Sequence, residues 1–211
     1  MQPIANKIAK KQAGYSLVEL SVALAIVAVI LVGGLMGTRQ ILMTNNVNNQ
    51  LKDSALVIAK ITRQFQNSLD TSGATNQNLI PLSVWPVDRF INSTNASGTV
   101  FTGKVNGVIA NTAEYITPNS AKIGSLEANN GFLYTFTNVP AAACPDLISG
   151  LDNMAYALYA GKTTGTAPSG AIPASLTAVK AADTARFAAD KLATGCSSLH
   201  GTVDITAVIR L

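Results

Sequence analysis

Residues 7–37 read KIAKKQAGYSLVELSVALAIVAVILVGGLMG. A short basic segment carrying Lys7, Lys10 and Lys11 ends at Gly14, and a long apolar run with one acid, Glu19, follows. An ionised carboxylate inside a membrane-spanning helix costs about 2.5–3.5 kcal/mol, so it is rarely present without a partner. Cutting the chain after Gly14 would supply one, because Tyr15 would then carry a free, positively charged amine. Two other readings of the same stretch stay open. It could be a secretory signal peptide cut near Gly33 to Gly37, although Glu19 then sits at the edge of the apolar region and no clear A-x-A site follows. It could also be an uncleaved anchor, since Leu20 to Met36 is near the lower limit of length for a bilayer span.

Outward from this run, no proline occurs between Pro3 and Pro81, so one helix can continue well past the apolar segment. Leu51, Ala55, Ile58, Thr62, Phe65 and Leu69 step by four and three and predict an apolar stripe. Lys52, Lys60, Arg63 and Asn67 fall on the opposite side. The expectation is a helix over 15–69, apolar almost all round in 15–42 and amphipathic in 43–69. It should end at the turn-rich DTSGATNQN, residues 70–78. Gly33, Gly34 and Gly37 interrupt its apolar half at about 1 kcal/mol each relative to alanine. They read as a flexible joint, as close helix packing through G-x-x-x-G, or as the ordinary glycine content of a membrane helix.

Residues 70–211 lose the helical period and predict a mixed domain. Asn78 to Phe90, with two prolines and Trp85, reads as an irregular segment over the core. Thr99–Ala110, Gly131–Val139 and Val203–Leu211 are strand-like, the last two by alternation. A helix is expected from Pro145 to Leu158 with Leu147, Leu151, Met154 and Leu158 as its stripe. A loop over Thr163–Ser175 and a short helix over Ala181–Leu192 complete the prediction.

Charge restricts the function classes. The chain has a formal charge of +4, yet three of its 15 basic residues precede Gly14 while all 11 acids follow it. The remainder is near neutral, about +1, with no basic block, so binding to a nucleic acid is not expected. Lys7, Lys10 and Lys11 ahead of the apolar run, with only Arg39 close behind, keep the N-terminus cytoplasmic and place the rest outside. In an oxidising compartment Cys144 and Cys196 are expected to pair, closing a loop worth about 4 kcal/mol on the chain-entropy account.

Gly14 before the junction, Tyr15 after it, Glu19 four residues on and then the apolar helix together resemble the processing site of a type IV prepilin. The same signature occurs in the pseudopilins of type II secretion. NVPAAACPDL, residues 138–147, resembles the strand-to-helix junction around the first cysteine of type IVb pilins, such as the toxin-coregulated, bundle-forming and conjugative thin-pilus subunits. Tyr15 in place of the phenylalanine usual in type IVa pilins points to the same branch.

The resemblance implies an α+β type IV pilin fold: a long hydrophobic N-terminal helix whose C-terminal half packs on an antiparallel-sheet head. It implies a leader over 1–14, removal of that leader by a prepilin peptidase, and N-methylation of Tyr15. It implies a helix over 15–69 and a head over 70–211 whose C-terminal part is bounded by Cys144 and Cys196. Glu19 would neutralise the Tyr15 amine of a neighbouring copy as the chain polymerises with itself on an inner-membrane assembly platform. The precursor would sit in the inner membrane and the product in a surface pilus of a Gram-negative bacterium, serving adhesion, aggregation or conjugation. A minor pilin, a pseudopilin, and more remotely a secreted or anchored non-filament domain are the alternatives.

An enzyme is not expected. His200 is the only histidine, and Ser197, Ser198 and Asp204 near it form no recognised nucleophile motif. No cofactor or metal is expected, since the carboxylates lack calcium-loop spacing and two cysteines with one histidine lack zinc-ligand spacing. The N-x-S/T matches at Asn92 and Asn95 lie in a Ser/Asn/Thr-rich stretch and read as composition.

Overall fold

The apolar half of the first helix needs no partner to form, because every backbone polar group between its ends is satisfied within it. In the computed structural model α1 runs continuously over Leu17–Phe65. The structure describes residues 16–68, 70–95, 98–164, 168–184, 186–197, 199 and 201–211. The expected leader over 1–14, Tyr15, Leu69, Ser198 and His200 lie outside them. Two units are distinguished, residues 1–42 and 43–211.

In the second unit, α1 buries Val47, Gln50, Ser54, Val57 and Ile61, spaced by three and four. The predicted stripe of Leu51, Ala55, Ile58, Thr62 and Phe65 flanks this face and is only half-buried. The error has a physical cause. Gln50 and Ser54 look polar in sequence, yet both are fully buried because each has hydrogen-bond partners there. The predicted polar positions Lys52, Lys60, Arg63 and Asn67 are exposed.

After α1 come a one-turn helix α2 (Asn76–Leu79), a 3-10 turn over Val87–Arg89, and strands β1 (Phe90–Asn95), β2 (Gly98–Asn106), β3 (Ala113–Pro118) and β4 (Gly131–Pro140). Helix α3 (Cys144–Leu151), strands β5 (Ala157–Lys162) and β6 (Leu176–Lys180), helix α4 (Ala189–Gly195) and strand β7 (Thr202–Arg210) follow. The strands form one seven-stranded sheet in the order β1-β2-β3-β4-β7-β5-β6, with all neighbours antiparallel.

The strongest alternations in sequence are the two central strands. Phe132, Tyr134 and Phe136 of β4 stand opposite Ile209, Ala207 and Ile205 of β7, and all six face the main core with α1 and α3. The other face is buried too. Leu133 and Val208 pack with Ala157, Ile123 and Leu126, and the Thr135 and Thr206 hydroxyls share a 3.0 Å hydrogen bond.

Three sequence expectations require correction. The helix predicted over 145–158 stops at Leu151; Met154 lies in the following turn and Leu158 in β5. Backbone pairing to β7 and β6 determines the conformation of ALYAGK, overriding the helix propensity of its alanine and leucine. The helix predicted over 181–192 begins only at Ala189, because a turn with Asp183 at φ +63° follows β6. Strands β1, β3, β5 and β6 carry no alternation that marks them in sequence. The loop over 163–175 is present where described, and Trp85 is buried beneath the irregular segment before β1.

Candidate processing and assembly site

The N-terminal part of α1 begins just after Ser16, whose carbonyl accepts the Leu20 N–H at 3.1 Å. Glu19 lies in the first helical turn, where the partial positive charge of the helix terminus favours an acid. Other polar side chains in this stretch are satisfied by the helix itself. Ser21 Oγ donates to the Val18 carbonyl at 2.8 Å and Thr38 Oγ1 to the Leu35 carbonyl at 3.0 Å. Among the described residues Glu19 has no hydrogen-bond or ion-pair partner.

Around it the helix presents apolar surface on all sides. Leu17 is 86% exposed and Val29 73%, and Leu20, Leu24, Ile26, Ile30 and Leu31 are also exposed. The stretch is long and apolar enough to cross a membrane. Gly33, Gly34 and Gly37 lie within continuous helix, and a Cβ built at any of them would meet nothing within 4 Å. The single chain therefore supplies no packing reason for these glycines.

In the head, the sequence placed no weight on a buried carboxylate that organises α1, the segment before β1, and the sheet. Glu114 on β3 is fully buried and accepts from Gln50 Nε2 at 2.8 Å and Trp85 Nε1 at 3.0 Å, and also from the Tyr134 hydroxyl and Arg89. Arg89 bridges Glu114 to Asp53 on α1. Burial pushes the Glu114 carboxyl above its ordinary range, against the pull of Arg89 and of the hydrogen bonds from Tyr134, Gln50 and Trp85. Burial opposes the Arg89 charge, but Glu114 and Asp53 outweigh it and raise its pKa. The Tyr134 phenol is pushed well up by burial and by the Glu114 charge. Asn76 locks the same region, donating to the Glu114 carbonyl at 2.9 Å and accepting the Ile116 N–H at 2.6 Å. No spacing rule could reveal this cluster, since its members come from five separate segments.

Cys144 and Cys196 form a disulfide with Cα atoms 5.6 Å apart, joining the start of α3 to the residue after α4. Lys180, buried between these helices' segments, donates to the Asp152 and Ala155 carbonyls at 2.6 and 2.9 Å. Among the described residues no group of three or more His, Cys, Asp or Glu side chains could hold a metal ion.

Among the described residues the structure brings together the two cysteines and gives Glu19 no partner. The N-terminal part of α1 exposes a large apolar surface with one carboxylate, Glu19, in its first turn.

The family model for the prokaryotic N-terminal methylation motif matches residues 9–35, which include Gly14, Tyr15 and Glu19. No curated protein matches the chain. Among solved structures, TcpA, a type IV pilin from Vibrio cholerae El Tor biotype, is similar at 14% identity and a TM-score of 0.51. That match covers 78% of this chain and 98% of TcpA. A type IVb pilin from Salmonella typhi is similar at 16% identity and a TM-score of 0.47, over 76% of this chain and 97% of the other. With a methylation motif at its start and a TcpA-like arrangement of helix and sheet behind it, the chain has the fold of a type IV pilin.

Proposed function

We propose that this chain is the structural subunit of a type IVb-like pilus, as a major pilin, and has no enzymatic role. Its leader, residues 1–14, is removed by a prepilin peptidase between Gly14 and Tyr15, and the new amine is methylated. Residues 15–42 form the filament core and 43–69 the amphipathic half of the helix; 70–211 form the head. The precursor rests in the inner membrane of a Gram-negative cell, and an assembly platform there feeds it into a homopolymer at the surface.

The observation that carries this reading is Glu19: a carboxylate with no partner among the described residues, in the first turn of an apolar helix, within a matched methylation motif. A Tyr15 ammonium from the next copy neutralises it when the helices are in the correct axial register. In a low-dielectric bundle any other register leaves the charge uncompensated. The apolar surface from Leu17 to Met36 then supplies cohesion by close packing. Gly33 and Gly37 allow close helix approach between copies, and Gly33, Gly34 and Gly37 let the helix bend on entering the filament.

The test is intact mass and N-terminal sequencing of protein from sheared surface fibres. A start at Tyr15, with a methylated amine and the disulfide intact, is the expected result. A start at Met1 or beyond Gly33, or absence of the chain from the fibres, would overturn it.

A further inference from the structure

On the second face of the sheet, where Leu133 and Val208 pack, the pair β4 and β7 changes from apolar to polar along its length. Thr135 stands opposite Thr206, and a bulge between Phe136 and Val139 sets Thr137 and Asn138 against Asp204. Thr135, Thr137, Asp204 and Thr206 are 4%, 5%, 3% and 1% exposed, so three hydroxyls and a carboxylate share one buried patch. They line a cavity of about 230 Å³, to which the β5–β6 connection contributes Ser169 and Ile172.

Two features of this patch are costly if the cavity stays empty. The first is a buried charge without a counter-ion. The Asp204 oxygens accept from the Asn138 N–H at 3.1 Å, the Thr163 hydroxyl at 2.5 Å, and the Thr164 N–H and hydroxyl at 2.9 and 3.3 Å. All four donors are neutral, and among the described residues Asp204 makes no ion pair. The connection over 163–175 has no basic residue to supply one. The Tyr115 phenol, pushed up by burial and by the Asp204 charge, stays neutral and adds no compensation. The second feature is Thr137, a buried side chain on the cavity wall whose hydroxyl has no hydrogen-bond partner among the described residues.

We propose that this cavity holds a monovalent metal cation, sodium or potassium. Carboxylate and hydroxyl oxygens are the donors that hard cations take. The Thr135 and Thr206 hydroxyls share one hydrogen bond and keep lone pairs for a further partner, and the Thr137 hydroxyl is uncommitted. A single carboxylate balances one positive charge, whereas a divalent ion is held by several. The ion would neutralise Asp204 where β4, β7 and the end of β5 meet. The inference does not depend on polymerisation, since every residue named lies in one chain.

Thermal unfolding of the full-length chain in non-ionic micelles tests it, in sodium, potassium or tetraethylammonium chloride. One ionic strength throughout keeps screening equal, and the ethyl groups shield the charge of the third cation from the cavity. Sodium or potassium should raise the midpoint by about 2–4 °C, the shift for an ion at a few times its dissociation constant. Thr137→Val keeps the shape of the side chain and removes the unpartnered hydroxyl. In tetraethylammonium it should therefore be at least as stable as wild type, and in sodium or potassium it should lose most of the rise. Equal midpoints in all three salts would overturn the proposal, leaving water in the cavity. So would a rise that Thr137→Val keeps in full, or one that only calcium chloride produces. None of these outcomes bears on processing at Gly14, which fibre mass spectrometry decides separately.

Discussion

Glu114 shows how one side chain can be expensive to bury and still hold a fold together. Its two oxygens receive donors from Gln50, Arg89, Trp85 and Tyr134, so an amide nitrogen in place of one oxygen removes an acceptor that these donors share. Glu114→Gln should lower the stability of the head by about 3 kcal/mol, the order expected when one partner of a buried ion pair is removed; chemical denaturation followed by Trp85 fluorescence measures it. The pH dependence has a defined sign. A carboxyl raised in the folded state gives stability that is complete below its unfolded pKa and is lost as pH rises through the folded value. The gap between wild type and Glu114→Gln should therefore narrow as pH increases through that interval. Glu19 is the opposite case, with no partner in the described chain and no place in the head core. Glu19→Ala should leave the denaturation curve of the head unchanged and abolish most surface fibre. Normal piliation by a stable variant would refute its assembly role.

At the level of elements, α1 is legible in sequence as a length and a polarity gradient, but its buried face is not. The hydrophobic stripe centred on Leu51 and Ile58 is displaced by one position from the true face, because Gln50 and Ser54 are buried through partners distant in sequence. Central strands β4 and β7 are legible because aromatic and β-branched residues alternate along them. Strand β5 is not, since alanine and leucine at Ala157 and Leu158 carry little strand signal and the pairing with β7 decides. Glu19 and the glycines stand out by chemistry alone, whereas the Glu114 cluster and the cavity at Asp204 exist only once the chain folds. One close approach between elements gives a sharp test. A Cβ on Gly150 of α3 would come within 2.2 Å of Leu51 Cδ1 on α1. Gly150→Ala should force the Leu51 side chain aside at a net cost of about 1 kcal/mol, the overpacking being partly offset by alanine's helix propensity. Adding Leu51→Ala should recover part of that loss, and a double-mutant cycle by denaturation would read the coupling. Purely additive losses would show that the two helices do not press on each other there.

For the whole molecule, the Cys144–Cys196 disulfide spans a sequence separation of 52 residues and encloses α3, β5, β6 and α4. Replacing both cysteines by alanine should lower stability by about 4 kcal/mol on the chain-entropy account, measured against the oxidised wild type. The loss should fall mainly on this enclosed segment, visible as faster amide exchange in β6 than in β3. The strand order has a different implication, concerning time rather than stability. Strand β7 follows β5 and β6 in sequence, yet it lies between β4 and β5, and among the described strands it is the one that joins β1–β4 to β5 and β6. A ribosome or translocon still holding residues 202–210 therefore holds the keystone of the sheet. Until that segment is released, the β5–β6 pair has nothing to join it to β1–β4, and the sheet of the head stays in two pieces. A chain truncated before Thr202 and released should be protease-sensitive throughout 113–180, whereas the released chain carrying 202–211 should be resistant; equal resistance of the two would refute the role of β7 as the bridge.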